Sequence, residues 1–451
     1  MIMKKIAMTV GLAAVGAASV HAAYAPDNSG NKTWSVSATL RGFYDDNFAA
    51  QNAAQNPKGS FGAELTPQFQ ITKSLNQTEL GLRYIYALYY YEGRDHFHED
   101  PYDQNHWVNL WLDHVFNERW ETKLSDNITV TQNPQLFGAG ATATSDPFRA
   151  DGNYILNSAS ASVHTDWSRR FGTVLTYANN LFLYNQVGNQ TVANIQAGGS
   201  PSEAGQFNRI DQTATVDFQW HKSTETILGL GYSFEWSDFT ANEPISYYNP
   251  IGGTPKVLYS DTRNSFTHSI YVSYQQNLTD TLRFTAMGGA QINDPYNDVT
   301  PNTSTVTPYV DMSGTYTYAR ASSLQFGFTH SLNSTYLPIF QSSAINTNSG
   351  SITENQESST VYLNLNHQFT SRLVGLFGGR IQHSSFNGGP AGGGSGFGGS
   401  ENYYSAVANL NYTITKHLSV EIGYNFDQVD AVQANASYQR NRYEVGLTGS
   451  Y

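Results

Sequence analysis

The densest gathering of side chains able to do chemistry lies between Glu92 and Asp103, where Asp95, His96, His98, Glu99 and Asp100 crowd together and His106 follows. Imidazole and carboxylate groups of this kind hold divalent cations. Their spacing matches no fixed ligand pattern, so the stretch reads as an acidic, solvated loop and no metal is assigned. Asp45, Asp46 and Asn47 offer a second set of oxygens and read more simply as the start of a turn. Eight glycines between Gly388 and Gly399 lack the Lys-Ser/Thr of a phosphate-binding loop, and read as a flexible connection. The His-Ser neighbours at 268–269, 330–331 and 383–384 bring no ordered third group for a nucleophilic triad. Absence of cysteine from all 451 residues excludes disulfides, thiolate metal sites and a thiol nucleophile. The expectation is a protein that is not an enzyme and carries no cofactor.

These groups sit in an unusual background. Only 13% of residues are charged, while aromatics reach 14% with 30 Tyr, and the mean hydropathy is −0.43. Such a chain has no helical membrane span, and its Tyr, Thr, Ser, Asn and Gly are residues of strands and turns. At the start, Lys4 and Lys5 precede an apolar run from Ile6 to Val20, with small residues before Ala23. This is the pattern of a secretory leader over residues 1–22, cleaved after Ala22 or Ala23. Its removal leaves 22 basic against 36 acidic residues, a net charge of −14. A surface of that sign is a poor partner for nucleic acid. The leader predicts export.

Beyond a short polar segment over residues 23–33, one signal repeats to the end. Runs of about ten to thirteen residues alternate apolar and polar side chains, the two-residue period of a strand. Trp34, Val36, Ala38, Leu40 and Tyr44 share one face; Phe61, Ala63, Leu65, Phe69 and Ile71 share another. The connections alternate too, with tight turns such as Ser74–Gln77 and Thr415–His417 between long polar stretches such as 132–153 and 238–264. Strict alternation of short and long connections is the mark of a transmembrane barrel with periplasmic turns and extracellular loops. The expected fold is therefore all-β: an antiparallel transmembrane barrel of about eighteen strands, within a range of sixteen to eighteen, over residues 34–451. Apolar faces point to lipid, and polar faces line the lumen. Asp126 and His114 fall on the outward face, which calls for a bulge or a local slip of phase.

The lumen candidates follow from that phase. Arg83, Asp113, Arg283 and Asp311 lie on polar faces among both signs of charge, which pair into a rigid wall or set a constriction field. Lys73 is counted with them. The signs nearly balance, so strong ion selectivity is not expected. Tyr89 and Tyr91 near the outer end of one strand, with Trp107 and Trp111 on the next, form one aromatic wall. It serves either as packing at the membrane interface or as a stacking path for sugars. In the last run, Tyr443, Val445, Leu447 and Tyr451 phase outward while Arg442 and Glu444 phase inward. That strand must pair with the first, because an open edge in lipid leaves backbone groups unsatisfied.

The stretch from Arg41 to Phe48, containing Tyr44-Asp45-Asp46-Asn47, together with Phe61–Ile71 and Thr78–Tyr91, resembles the β-barrel porin-2 type families of outer-membrane barrels. The resemblance is specific over residues 34–91 and generic elsewhere. It implies a bacterial outer-membrane location, and those families include barrels encoded with exopolysaccharide operons. Outer-membrane barrels commonly end on an aromatic strand read by the barrel-insertion machinery, which by resemblance gives Tyr443, Val445, Leu447 and Tyr451 a role in assembly. The expected function is passive diffusion of small hydrophilic solutes, with outer-membrane lipid as the surrounding partner. The alternative is a structural or export partner for exopolysaccharide.

Overall fold

The computed structural model describes residues 33–97, 100–132, 153–185, 191–196, 201–248, 256–297, 304–334, 339–340, 351–352, 355–387, 399–431 and 437–451. The expected leader, most of the Gly388–Gly399 run and His98 with Glu99 lie outside these residues.

Eighteen antiparallel strands form one sheet. They are β1 (Trp34–Asp45), β2 (Ser60–Ser74), β3 (Thr78–Tyr91), β4 (Tyr102–Asn117), β5 (Trp120–Thr131), β6 (Tyr154–Asp166), β7 (Phe171–Tyr184), β8 (Arg209–His221) and β9 (Thr226–Phe239). The circuit continues with β10 (Ser265–Asn277), β11 (Leu282–Pro295), β12 (Thr305–Ala319), β13 (Ser322–Ser334), β14 (Asn355–Gln368), β15 (Leu373–Asn387), β16 (Gly399–Thr415), β17 (Leu418–Asp430) and β18 (Tyr438–Ser450). Each strand pairs with its neighbours in sequence, and β18 pairs with β1 from Ser37↔Ser450 to Asp45↔Arg442. Beyond that register the Tyr451 N–H donates to Val36 O at 2.9 Å, and the Val36 N–H to Tyr451 O at 3.2 Å. No sheet edge remains along the seam, as hydrocarbon requires.

One end of the barrel carries connections of two to four residues and the other connections of seven to twenty-five. Three of the tight turns use the same device: the hydroxyls of Ser168, Thr279 and Thr370 each accept the N–H of the first residue of the next strand, at 3.1, 2.9 and 3.0 Å. A hydroxyl three residues before a strand thus fixes the turn. At the long-loop end, the helical turn Glu203–Phe207 packs Ala204 and Phe207 against Tyr154 and Tyr184. Arg263 in the next loop donates to Gln206 O at 2.6 Å and lies over Phe239. Burial, and secondarily the like charge of Arg209, push the Arg263 guanidinium below its ordinary pKa.

The two faces of the sheet differ as their side chains require. Outside, large apolar residues such as Leu40, Ile270, Val272 and Val445 are exposed around the belt. Inside, Thr39, Glu64, Ser233 and Gln382 are buried. Rings on the inner face lean over glycines of the adjacent strand. A Cβ at Gly81 would lie 2.0 Å from the Trp111 ring, and one at Gly231 would lie 2.3 Å from the Tyr271 ring.

Two expectations about phase need correction. Asp126 and His114 do face outward, yet neither a bulge nor a slip is present at them. The register of β4 with β5 runs unbroken from His106↔Val130 to Val115↔Glu121 and shifts only beyond it. The chain instead gives both residues polar neighbours: Asn157 donates to Asp126, and His114 Nδ1 lies 2.7 Å from the Thr78 hydroxyl. Lys73 pairs in register with Leu80 on the outer face, one residue from the short-turn end of β2, and so faces away from the lumen at the rim of the barrel, where a long cationic side chain is tolerated.

Candidate permeation path

The inner face divides into two unlike walls. The first is centred on the closing seam. Arg41 on β1 donates to Glu64 on β2 at 2.6 Å and also to Glu421 on β17. Arg442 on β18 reaches the second oxygen of Glu64 at 3.2 Å and lies 3.7 Å from Glu444. Arg440 makes two bonds to the Asp427 carboxylate, at 2.9 and 3.1 Å, the fork-to-fork geometry natural to guanidinium and carboxylate. The Arg442 guanidinium also stacks 3.9 Å from the Phe43 ring centre. Every charge in this network is almost fully enclosed.

Continuous with it is an apolar cluster of Phe43, Ile85, Ala87, Tyr89, Tyr91 and Trp107, with Phe48 from the first loop against it. Tyr89, Tyr91 and Trp107 are only 5–6% exposed. The Tyr91 ring is covered by Phe43, Phe48 and the Arg94 guanidinium and the Tyr89 ring by the Arg442 guanidinium, and Trp107 packs in the same buried cluster. These three expected lumen residues therefore brace the wall, and no open ring face is left for stacking a sugar. Trp111 and Arg83 are half-buried on the same side, the first over Gly81 and the second donating to Gln68 at 3.1 Å. Asp113 is half-buried opposite Lys123 in register.

The second wall lies nine strands away around the barrel, on β8 to β12. There the Tyr271 hydroxyl donates to Asp217 at 2.6 Å across Gly231, and Tyr309 packs beside Tyr271 with ring centres 5.8 Å apart. Glu235 takes hydroxyl contacts from Thr213 and Ser237 at 3.3 and 3.5 Å. Asp311 and Arg283 are half-buried and lie four register steps apart, with Met287 opposite Asp311 and Thr315 opposite Arg283. Arg209 is engaged by Asp211 at 2.9 Å. Among the described residues Asp217, Glu235 and Asp311 have no cation within ion-pair distance. The near-balance of signs expected from sequence is thus not local: the seam pairs its cations with carboxylates, and the far wall keeps carboxylates with hydroxyls. Asp217, Glu235 and Tyr271 form the part of this wall that sequence reading left unassembled. Its signal was a tyrosine on a polar phase with a glycine on the neighbouring strand.

Near the long-loop end, Arg94 pairs with Asp103 at 2.7 Å, and the Asp100 carboxylate accepts the Tyr102 N–H at 3.0 Å. These two acids of the expected solvated loop are therefore engaged within it. The remaining face is set by the last strand. Tyr443, Val445, Leu447 and Tyr451 point outward and are exposed, while Arg442 and Glu444 point inward and are buried. Tyr451 lies 5.6 Å from Trp34 and stacks 6.0 Å from His417, closing an aromatic group at the short-turn rim.

A closed barrel with an apolar jacket and a polar interior is a transmembrane barrel of the outer-membrane kind. Residues 333–451, covering β14 to β18, match the sequence model of a family described as "Putative beta-barrel porin 2". The match falls at the opposite end of the chain from the Tyr-Asp-Asp-Asn stretch that carried the resemblance. No curated protein sequence matches the chain. Among solved structures it is similar to the outer membrane protein OpdK from Pseudomonas aeruginosa, at TM-score 0.39 and 12% identity over 93% of this chain and 99% of that one. It is similar to OccAB4 from Acinetobacter baumannii at TM-score 0.43 and 10% identity, again over 93% and 99%. It is also similar to a mutant of the ferric enterobactin receptor PfeA from Pseudomonas aeruginosa, at TM-score 0.43 and 10% identity over 92% and 80%. The barrel, with its lipid-facing belt and its family match, is a protein of the bacterial outer membrane.

Proposed function

We propose that this barrel is a porin-like channel through which small hydrophilic solutes diffuse passively. The observation that carries the reading is the polar inner face of a closed eighteen-stranded sheet, since barrels of sixteen or more strands are wide enough to leave an aqueous path. Half-buried Arg83, Trp111, Asp113, Arg283 and Asp311 line the proposed path, with Asp217 and Glu235 on its acidic side. No bond is made or broken in this reading, so no residue needs a catalytic role. Purified protein in planar bilayers should give discrete conductance steps, and proteoliposomes should swell in small sugars. Silence at high protein concentration, with binding of polysaccharide, would overturn the channel in favour of a structural or export partner for exopolysaccharide.

A further inference from the structure

The outer face carries one feature that lipid does not explain. Among the described strand residues, charges on this face lie at strand ends: Lys73 at the short-turn rim, and Asp238, Asp294, Glu357 and Asp430 at the other. Asp126 is the exception, six residues from one end of β5 and five from the other. It belongs to a ladder row that runs Asp126↔Ala159↔Asn179↔Gln212 across β5, β6, β7 and β8. Asn157, two residues from Ala159, faces the same way and donates to one Asp126 oxygen. The other Asp126 oxygen and the carboxamides of Asn179 and Gln212 have no side-chain partner among the described residues. Hydrocarbon tails supply neither donors nor acceptors, so a diagonal of four polar side chains there is unfavourable unless something polar covers it.

We infer that the outer face of β5 to β8 is where a second copy of this chain docks within the membrane. The donor and acceptor inventory points to a like copy: one acceptor-only carboxylate lies beside three carboxamides that both donate and accept. Two such rows placed face to face about a two-fold axis bring the Asp126 oxygen of each copy to a carboxamide of the other, the self-complementary pattern of an isologous contact. Ala159 lies within the row and Ala214 beside its Gln212 end, and small side chains of this kind let two sheets approach closely enough for those bonds to form. Two strands beyond that face, on β10, Ile270 and Val272 are among the most exposed apolar residues and remain against lipid.

The chain has no cysteine, so a single introduced thiol reports contact cleanly. With an added oxidant such as copper phenanthroline, full-length protein carrying Ala159→Cys should form an intermolecular disulfide between two copies in outer-membrane vesicles, while Val272→Cys should not. Adding Asp126→Leu to Ala159→Cys should remove the cross-link and leave a heat-modifiable, folded band. Asn179→Leu is the second variant, so that a folding defect of the first does not decide the matter. Wild-type protein should have the mass of two or more protomers by light scattering in mild detergent, and the Asp126→Leu protein the mass of one. Equal cross-linking at Ala159→Cys and Val272→Cys, a one-protomer mass for wild type at every concentration, or an adduct with a different protein would each overturn the inference. None of these readouts depends on conductance, so failure of the channel reading would be seen separately.

Discussion

The seam wall and the far wall of the lumen are built from the same kinds of residue to opposite effect. At the seam, three arginines and four carboxylates from β1, β2, β17 and β18 meet at short range, and each cation is matched. On β8 to β12, Asp217 and Glu235 are held by hydroxyls instead, with no cation within ion-pair distance among the described residues. A carboxylate beside a guanidinium is a fastener, whereas one held by a tyrosine hydroxyl keeps most of its field. Buried pairs are costly to desolvate and a weak source of net stability; their best-attested use is to specify register. The seam is where register matters most, because β1 and β18 must find each other across the whole chain. In the proposed channel, the inner face would use some charges to close the barrel and keep others for selection.

That contrast can be broken at four places. Removing Glu64 should do most damage, because Arg41 and Arg442 would both lose a buried partner. Glu64→Ala should cost about 3–5 kcal/mol, read as a lower urea midpoint for loss of the heat-modifiable band and as less assembled barrel. On the lipid side of the same seam, Leu447→Lys should cost about 2–4 kcal/mol if the site is near the bilayer midplane. Equal surface levels of this variant and wild type at matched expression would show that the facing is wrong. On the far wall, Asp217→Asn with Asp311→Asn should change stability by only about 1 kcal/mol and should act on permeation. Wild type should prefer small cations over anions in a salt gradient, and the double variant should move the reversal potential toward zero. The preference should also weaken above about 0.1 M salt, where screening acts within about 10 Å. The smallest effect is expected at Gly231→Ala, where the new methyl displaces the Tyr271 ring from Asp217. It should lose roughly 0.5–1.5 kcal/mol, the worth of one hydrogen bond, with a slight rise in cation preference. An unchanged reversal potential in the far-wall variants would mean that the two walls do not differ in function.

Much of this architecture is legible along the chain. Inward and outward phase is a local property with a period of two residues, so neighbours alone assign Arg83, Asp113, Arg283 and Asp311 to the lumen and Tyr443, Val445, Leu447 and Tyr451 to the lipid. The count of eighteen strands and the alternation of connection lengths are also written in the sequence. The acidity of the far wall and the enclosure of Tyr89, Tyr91 and Trp107 are not, because both depend on what stands across from a strand and not on what lies beside it in sequence.

Sequence by itself therefore determined that the chain is a lipid-jacketed barrel and which face most strand residues take, Lys73 excepted, because hydrocarbon and water select side chains one position at a time. Tertiary structure alone decided which of those residues meet. Arg41 reaches Glu421 across 380 positions, Arg442 reaches Glu64 across 378, and Tyr271 reaches Asp217 across 54. The polar row from Asp126 to Gln212 likewise exists only once four strands are in register. Closure of the sheet sets that register, and it is a property of the whole circuit that no single strand contains.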